Sequence, residues 1–244
     1  MFEYYKKVGL TTNEIILDIK KKYNFSENDK IACPGKLDPM AEGKMIVLLG
    51  DECLNMKKFC SLNKTYNFDL ILGISTDTGD VLGKIQNTSN IKNLNIESIT
   101  KYILNITKYN QKFPDYSAIK VDGKPLWWWS NNNKLNEIEN KRPTKEINIF
   151  NINLEKIELI TLDNLAYNSI NKINKINSKE NFRQNEIINL WKDYLTNNNY
   201  IYIINMTARV SSGTYIRQLC IDIGNYFNIP SMADNINRLN IHLD

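Results

Sequence analysis

Apolar residues recur along the chain at two spacings, and the changes between them mark out the elements. Ile15, Ile16, Ile19 and Tyr23 share one helical face, and Thr11 with Glu14 has the spacing of a capping box at the entry. Met45–Leu49 is a continuous apolar run ending at Gly50, the pattern of a buried strand, and a short helix is predicted over Glu52–Cys60. Lys64–Ser75 alternates in part and is rich in β-formers, which predicts a strand. Thr76–Asp80 reads as a turn, and Val81–Ile85 as the returning strand. Ile99, Ile103 and Ile106 predict a helix over Ile96–Tyr109, broken by Lys112-Phe113-Pro114. Further strands are predicted over Tyr116–Val121, Glu146–Ile160 and Tyr200–Val210, with a short helix at Leu126–Trp129. After Ser211-Ser212-Gly213, the positions of Ile216, Leu219, Cys220, Ile223 and Phe227 predict an amphipathic helix. The sum is an α+β fold with a mixed, mostly antiparallel central sheet flanked by helices.

Composition changes this picture in one place. Residues 163–199 are dominated by Asn, Lys and Ile and read as an insertion, with one helix near Glu186–Leu195. Asn, Lys and Ile are heavily used throughout, as in an A+T-rich genome, so the Asn-rich stretches carry little functional meaning. The 244 residues, 42% hydrophobic, suffice for one sizeable core. No apolar run approaches the roughly 20 residues needed to cross a bilayer, and the N-terminus lacks a signal-peptide core. The expectation is a soluble, intracellular, cytoplasmic protein without a membrane partner. Cys33, Cys53, Cys60 and Cys220 form no CxxC pair and His242 is the one histidine, which argues against a zinc site and for free thiols. The net charge of +4 permits nucleic-acid binding without requiring it.

Candidate chemistry narrows quickly. Asp77-Thr78-Gly79 has the triplet of aspartic proteases, but its flanks, Thr76 and Asp80, are polar, so it reads as a turn. Phosphate-binding glycine loops are absent. A Ser-His-Asp triad would have to use a histidine two residues from the terminus. Two places remain. Arg217 follows a strand and a small-residue turn at the start of a helix whose backbone N–H groups suit an anion. Asp38 stands between Leu37 and Pro39 in a tight loop, where turn-former and catalytic carboxylate both remain open.

The order of the motifs resembles the TruB-type tRNA pseudouridine synthases, a family that includes the dyskerin-type subunits. Lys6–Asn13 (KKVGLTTN) is similar to the opening KPxGxTS, and Gly35–Gly43 (GKLDPMAEG) to GxLDPxAxG. Lys64-Thr65-Tyr66, Leu72-Gly73, Thr76-Asp77-Thr78 and Asp80 resemble KxYxxxxxLGxxTDTxD. Pro114, Tyr116–Lys120 (YSAIK) and Gly123-Lys124 resemble PxxYSAxKxxGK, and Arg142-Pro143 the RP before a strand. Ser212–Arg217 (SGTYIR), with Leu219, Asp222 and Gly224, resembles SxGTYIRxLxxDLG. The blocks stand in the family's order across most of the chain.

The resemblance implies the pseudouridine-synthase fold and isomerisation of uridine to pseudouridine, with the TΨC arm of tRNA as partner and no cofactor or metal. Asp38 would be the catalytic aspartate, Tyr66 the tyrosine that stacks on the base and takes the proton from C5, and Arg217 the partner of the aspartate. Lys64 and Tyr215 would lie in or near the site, Lys6 would shape its floor, and Cys33 would contact substrate. The physical demands agree. An extruded base loses a few kcal/mol of stacking and pairing, and an aromatic face returns about 1–3 kcal/mol. A dry cleft disfavours a lone carboxylate, which a guanidinium keeps charged and oriented.

The departures are specific. Cys33-Pro34 stands where the family has His-Thr, and Leu126–Asn131 (LWWWSN) replaces LYxxAR, so a basic residue is missing there. The expected organisation is one catalytic domain, 1–244, without a PUA domain and acting as a monomer. The insertion at 163–199 is either a tolerated surface expansion or a surface for an unknown protein or RNA partner. The rival function is a catalytically idle RNA-binding or ribonucleoprotein-assembly subunit. A guide-RNA-dependent catalyst is a third, less favoured reading.

Overall fold

The computed structural model describes residues 1–243. One sheet of eight strands organises them. Its path runs β1 (Phe2–Lys6), β3 (Glu42–Leu49), β12 (Ser231–Ile241), β4 (Lys64–Leu72), β11 (Tyr200–Val210), β10 (Thr144–Thr161) and β7 (Lys108–Lys112), and β2 (Ile31–Ala32) pairs with β3 off this path. All pairings are antiparallel except β12 with β3, so the sheet is mixed and mostly antiparallel, as expected.

Alternation along β4 divides the core. Phe68, Leu70 and Leu72 point to the face covered by α1 (Thr12–Lys22), α3 (Ile96–Asn105) and α7 (Ile216–Tyr226), where Ile15, Ile19, Ile99, Ile103, Leu219 and Ile223 are buried. Ile71 belongs to a second cluster, with α5 (Leu162–Ile173) and α6 (Gln184–Lys192). The capping box at Thr11 and Glu14 opens α1 as the spacing predicted.

Several expectations are corrected. The helix over Ile96–Tyr109 ends at Asn105, and Lys108–Lys112 pairs as β7 along β10. Tyr116–Val121 is mostly irregular, with only β8 (Lys120–Val121) extended against β9 (Lys124–Pro125). Both segments carry a hydrophobic spacing that local structure does not use, because tertiary pairing decides which backbone groups are satisfied. Val81 does not begin a strand: the return is β6 (Ile85–Thr88), which pairs with β5 (Ile74–Thr76). Segment 163–199 holds two helices rather than one. Strand β12, unread in the sequence, lies in the middle of the sheet. Between β3 and β4 the chain passes through α2 (Met56–Cys60), and α4 (Leu126–Asn131) forms at the Trp run. No helix among the described residues is long and apolar enough to cross a membrane.

Candidate active site

Asp38 sits in a loop that two basic side chains secure by its carbonyls. Gly35 takes φ +66°, and its carbonyl accepts from Arg238 Nη1 at 2.7 Å. Lys6, fully buried, donates Nζ to Pro39 O at 3.2 Å and to Ala41 O at 2.6 Å. The turn closes with Ala41 N donating to Asp38 O at 3.0 Å, and Gly9 N donates to Pro39 O at 2.8 Å. Burial pushes the Lys6 ammonium down to about 8, against the raising pull of Asp38 and Glu42. The loop's backbone acceptors are thus satisfied inside the protein, which fixes the direction of the Asp38 side chain.

Arg217 enters from the first turn of α7 and is 4% exposed, whereas the Asp38 side chain is 41% exposed to the cleft. Its Nε donates to Asp38 Oδ2 at 2.7 Å. Nη1 donates to Thr78 O at 2.5 Å and Nη2 to Tyr116 O at 3.1 Å. Asp80 Oδ2 lies 3.8 Å from Nε. The planar fork therefore has acceptors on each of its nitrogens, an arrangement that an ammonium does not reproduce. The turn carrying Thr78 comes so close to α7 that a Cβ on Gly79, at φ +75°, would meet Ile221 Cδ1 at 2.6 Å. The Asp77-Thr78-Gly79 triplet is a turn, as read, and it is also a wall of the site.

The pair opens on a cleft of about 780 Å³. Asp38, Lys64, Tyr66, Tyr215 and Arg217 all line it. Tyr66, 8% exposed, projects from β4 two residues from Lys64, so both fall on one face of the strand. Burial lowers the Lys64 ammonium to about 8, and its Nζ donates to Cys60 O and Leu62 O. Tyr215 packs edge-on against Phe113, ring centroids 5.7 Å apart. Two expected site residues do not reach the cleft wall. Lys6 lies behind the Asp38 loop as described. Cys33 is 3% exposed in the main core, where burial pushes its thiol up to about 11, so it fills space as a neutral side chain.

Sequence reasoning passed over other members of the site. Lys36, Lys57, Lys145 and Arg238 also line the cleft, which makes it strongly basic around the one carboxylate of Asp38. Lys145 Nζ donates to Ser212 O at 2.6 Å and so holds the turn before α7. Asp80 was legible as part of a motif but not as a counter-charge for Arg217; the five donors of a buried guanidinium were the signal that more acceptors were needed. Among the described residues no group of three or more His, Cys, Asp or Glu side chains is placed to hold a metal ion.

Burial raises the Asp80 carboxyl to about 6, and Arg217 opposes that rise. An acid whose folded pKa exceeds its unfolded value holds its proton more tightly when folded. Stability contributed by this group is therefore lost as pH rises from about 4 to about 6, by roughly 3 kcal/mol for a shift of about two units. We expect the unfolding free energy of the wild type minus that of Asp80→Asn to fall by this order between pH 4 and pH 7. A difference that stays flat in urea titrations across that range would remove Asp80 as the titrating group.

Residues 20–166 match the TruB family pseudouridylate synthase (N terminal domain). The tRNA pseudouridine synthase B of Mesoplasma florum is 31% identical over 236 residues, covering 96% of this chain and 65% of that protein. The enzyme of the same name from Acholeplasma laidlawii is 29% identical over 238 residues, covering 97% of this chain and 67% of its own length. The chain thus spans about two thirds of the length of these curated relatives. Among solved structures, an H/ACA RNP bound to a substrate RNA containing 2′-deoxyuridine aligns with a TM-score of 0.54 at 14% identity, over 97% of this chain and 45% of that one. A Cbf5-Nop10-Gar1 complex aligns with the same TM-score, 0.54, at 16% identity, over 97% of this chain and 47% of that one. At such identities these two establish a common fold. With its family match over more than half the sequence, the chain belongs to the TruB family of pseudouridylate synthases.

Proposed function

We propose that this protein isomerises uridine to pseudouridine in RNA, and that its substrate is the TΨC-loop uridine of tRNA. The observation that carries this reading is the Asp38–Arg217 hydrogen bond at the mouth of a basic cleft that Tyr66 also lines. The lysines and arginines around the cleft supply the charge that a phosphate backbone requires. The target base leaves its stack and enters beside Tyr66, whose ring recovers stacking energy. The N1–C1′ bond breaks with the uracil leaving as an anion, the uracil turns, and C5 joins C1′; Tyr66 gives its phenolic proton to N1 and takes up the proton leaving C5, so the product is an isomer. Attack of Asp38 on the sugar and assistance to its deprotonation both use the carboxylate, which Arg217 orients and Asp80 helps to balance.

The test is incubation with an unmodified tRNA transcript followed by mapping of pseudouridine. Product at the TΨC-loop uridine is expected. No product at stoichiometric protein overturns the reading, and tRNA binding without product would instead assign the chain to the idle RNA-binding class.

A further inference from the structure

We propose that segment 163–199 is a brace for the Asp38–Arg217 pair, and that Arg183 is the positioning residue through which it acts. The inference rests on the reading of the cleft as a pseudouridine-forming site. Arg183 precedes α6 and takes φ 63° and ψ 23°, a left-handed conformation uncommon for a residue with a side chain. That conformation accompanies a defined contact. Nη1 donates to Asp77 Oδ2 at 2.7 Å and Nη2 to Asp77 Oδ1 at 3.3 Å, a two-pronged pair with both side chains mostly buried. The same guanidinium lies over the Tyr116 ring, 4.8 Å from its centroid, and Tyr116 Oη donates to Asp77 Oδ2 at 3.1 Å.

Asp77 and Tyr116 are the residues on which the Arg217 docking points depend. Tyr116 supplies one carbonyl to Arg217, and Thr78, adjacent to Asp77, supplies the other. Arg183 thus ties together two chain segments, around 77 and around 116, that have no strand pairing with each other among the described residues. The rest of the segment fastens to the same wall. Trp191 Nε1 donates to Val81 O at 3.1 Å, next to Asp80, and Lys84 pairs with Glu186 at 2.6 Å. Met40, two residues beyond Asp38, is buried in the cluster that contains Ile173, Ile176, Ile187 and Trp191. The segment therefore backs both partners of the pair, Asp38 through Met40 and Arg217 through Asp77 and Tyr116. A tolerated surface expansion would not need a partly buried, two-pronged charged contact at this wall.

The experiment compares wild type, Arg183→Ala, Arg183→Lys, Asp77→Asn and the double variant Arg183→Ala/Asp77→Asn. Single-turnover rate and tRNA affinity are measured separately. For Arg183→Ala the rate is expected to fall roughly 10- to 100-fold, as for a catalytic group displaced by a fraction of an ångström, with tRNA affinity within about twofold. Arg183→Lys, which keeps the charge but not the fork, should recover part of the rate. The double variant should be no slower than the slower single, because both break one contact. A rate within about twofold of wild type, a loss confined to affinity, or additive losses would overturn the inference. Should Arg183→Ala melt below the assay temperature, Arg183→Lys decides by the same split of rate and affinity. A wild type that forms no pseudouridine overturns the reading of the cleft and this inference with it, whereas an active wild type with an indifferent Arg183→Ala overturns this inference alone.

Discussion

Asp38→Asn is expected to leave a folded protein that binds tRNA and forms pseudouridine at least roughly 10³-fold more slowly than the wild type, within the range for loss of an acid–base or nucleophilic group. The substitution is isosteric. The amide oxygen still accepts from Arg217 Nε, and Arg217 keeps its bonds to Thr78 O and Tyr116 O and the nearby charge of Asp80. The Asp38 side chain is 41% exposed, so removal of its charge changes stability little. What disappears is the negative oxygen presented to the sugar. Release of label from C5 of tritiated uridine in the transcript measures the rate, and filter binding measures the affinity. Multiple turnover at an appreciable fraction of the wild-type rate would remove Asp38 from the proposed role.

The second large effect concerns Arg217. Arg217→Ala leaves the Asp80 carboxylate buried without its cation and strands the carbonyls of Thr78 and Tyr116, so we expect a destabilisation of roughly 3–5 kcal/mol, the scale for breaking a buried ion pair from one side. The Asp80 carboxyl, no longer held down by the guanidinium, should move further up, and the stability loss should lessen as pH falls toward 4. Arg217→Lys separates charge from geometry. It keeps a cation near the two carboxylates but cannot donate along three directions in one plane. Its stability loss should be smaller, about 1–3 kcal/mol. Its turnover should still fall by roughly 100-fold or more, since Asp38 loses its fixed orientation. Chemical denaturation at pH 5 and 7 together with single-turnover assays checks both variants. An Arg217→Lys protein that turns over like the wild type would show that charge alone suffices and that the fork is dispensable.

The two halves of the site differed in how far they were legible. The loop at Asp38 and the helix start at Arg217 were readable because each is a local device, a proline- and glycine-bounded turn and a strand–turn–helix junction, written in adjacent residues. Tyr66 and Lys64 were singled out by the resemblance, not by local pattern; the structure puts both on one face of β4. The acceptors of Arg217 at Thr78 and Tyr116 are backbone carbonyls, which every residue carries, so no side-chain pattern marks them. Cys33 stands where the family has a histidine, and its position in the motif drew it into the site; the backbone instead turns its side chain into the core. Segment 163–199 looked uninformative because its Asn and Lys content masked the buried set Leu165, Ile173, Ile187 and Trp191. Strand β12 went unread for a related reason. Its sequence, SMADNINRLNI, carries alternating polar residues such as Asp234 that are buried inside the sheet against partners from other elements.

By itself the sequence determined the α+β class, the capping of α1, the strand of residues 200–210, and the order of motifs that places the chain in its family, because these depend on period, turn chemistry and residue identity within short windows. Only the tertiary structure decided that Asp80 shares the guanidinium with Asp38, that Arg238 and Lys6 hold the Asp38 loop, and that Arg183 reaches Asp77 from more than a hundred residues away. Those contacts satisfy buried charges and carbonyls across long sequence separations, and a buried polar group takes whichever partner the packing of the whole sheet brings within reach.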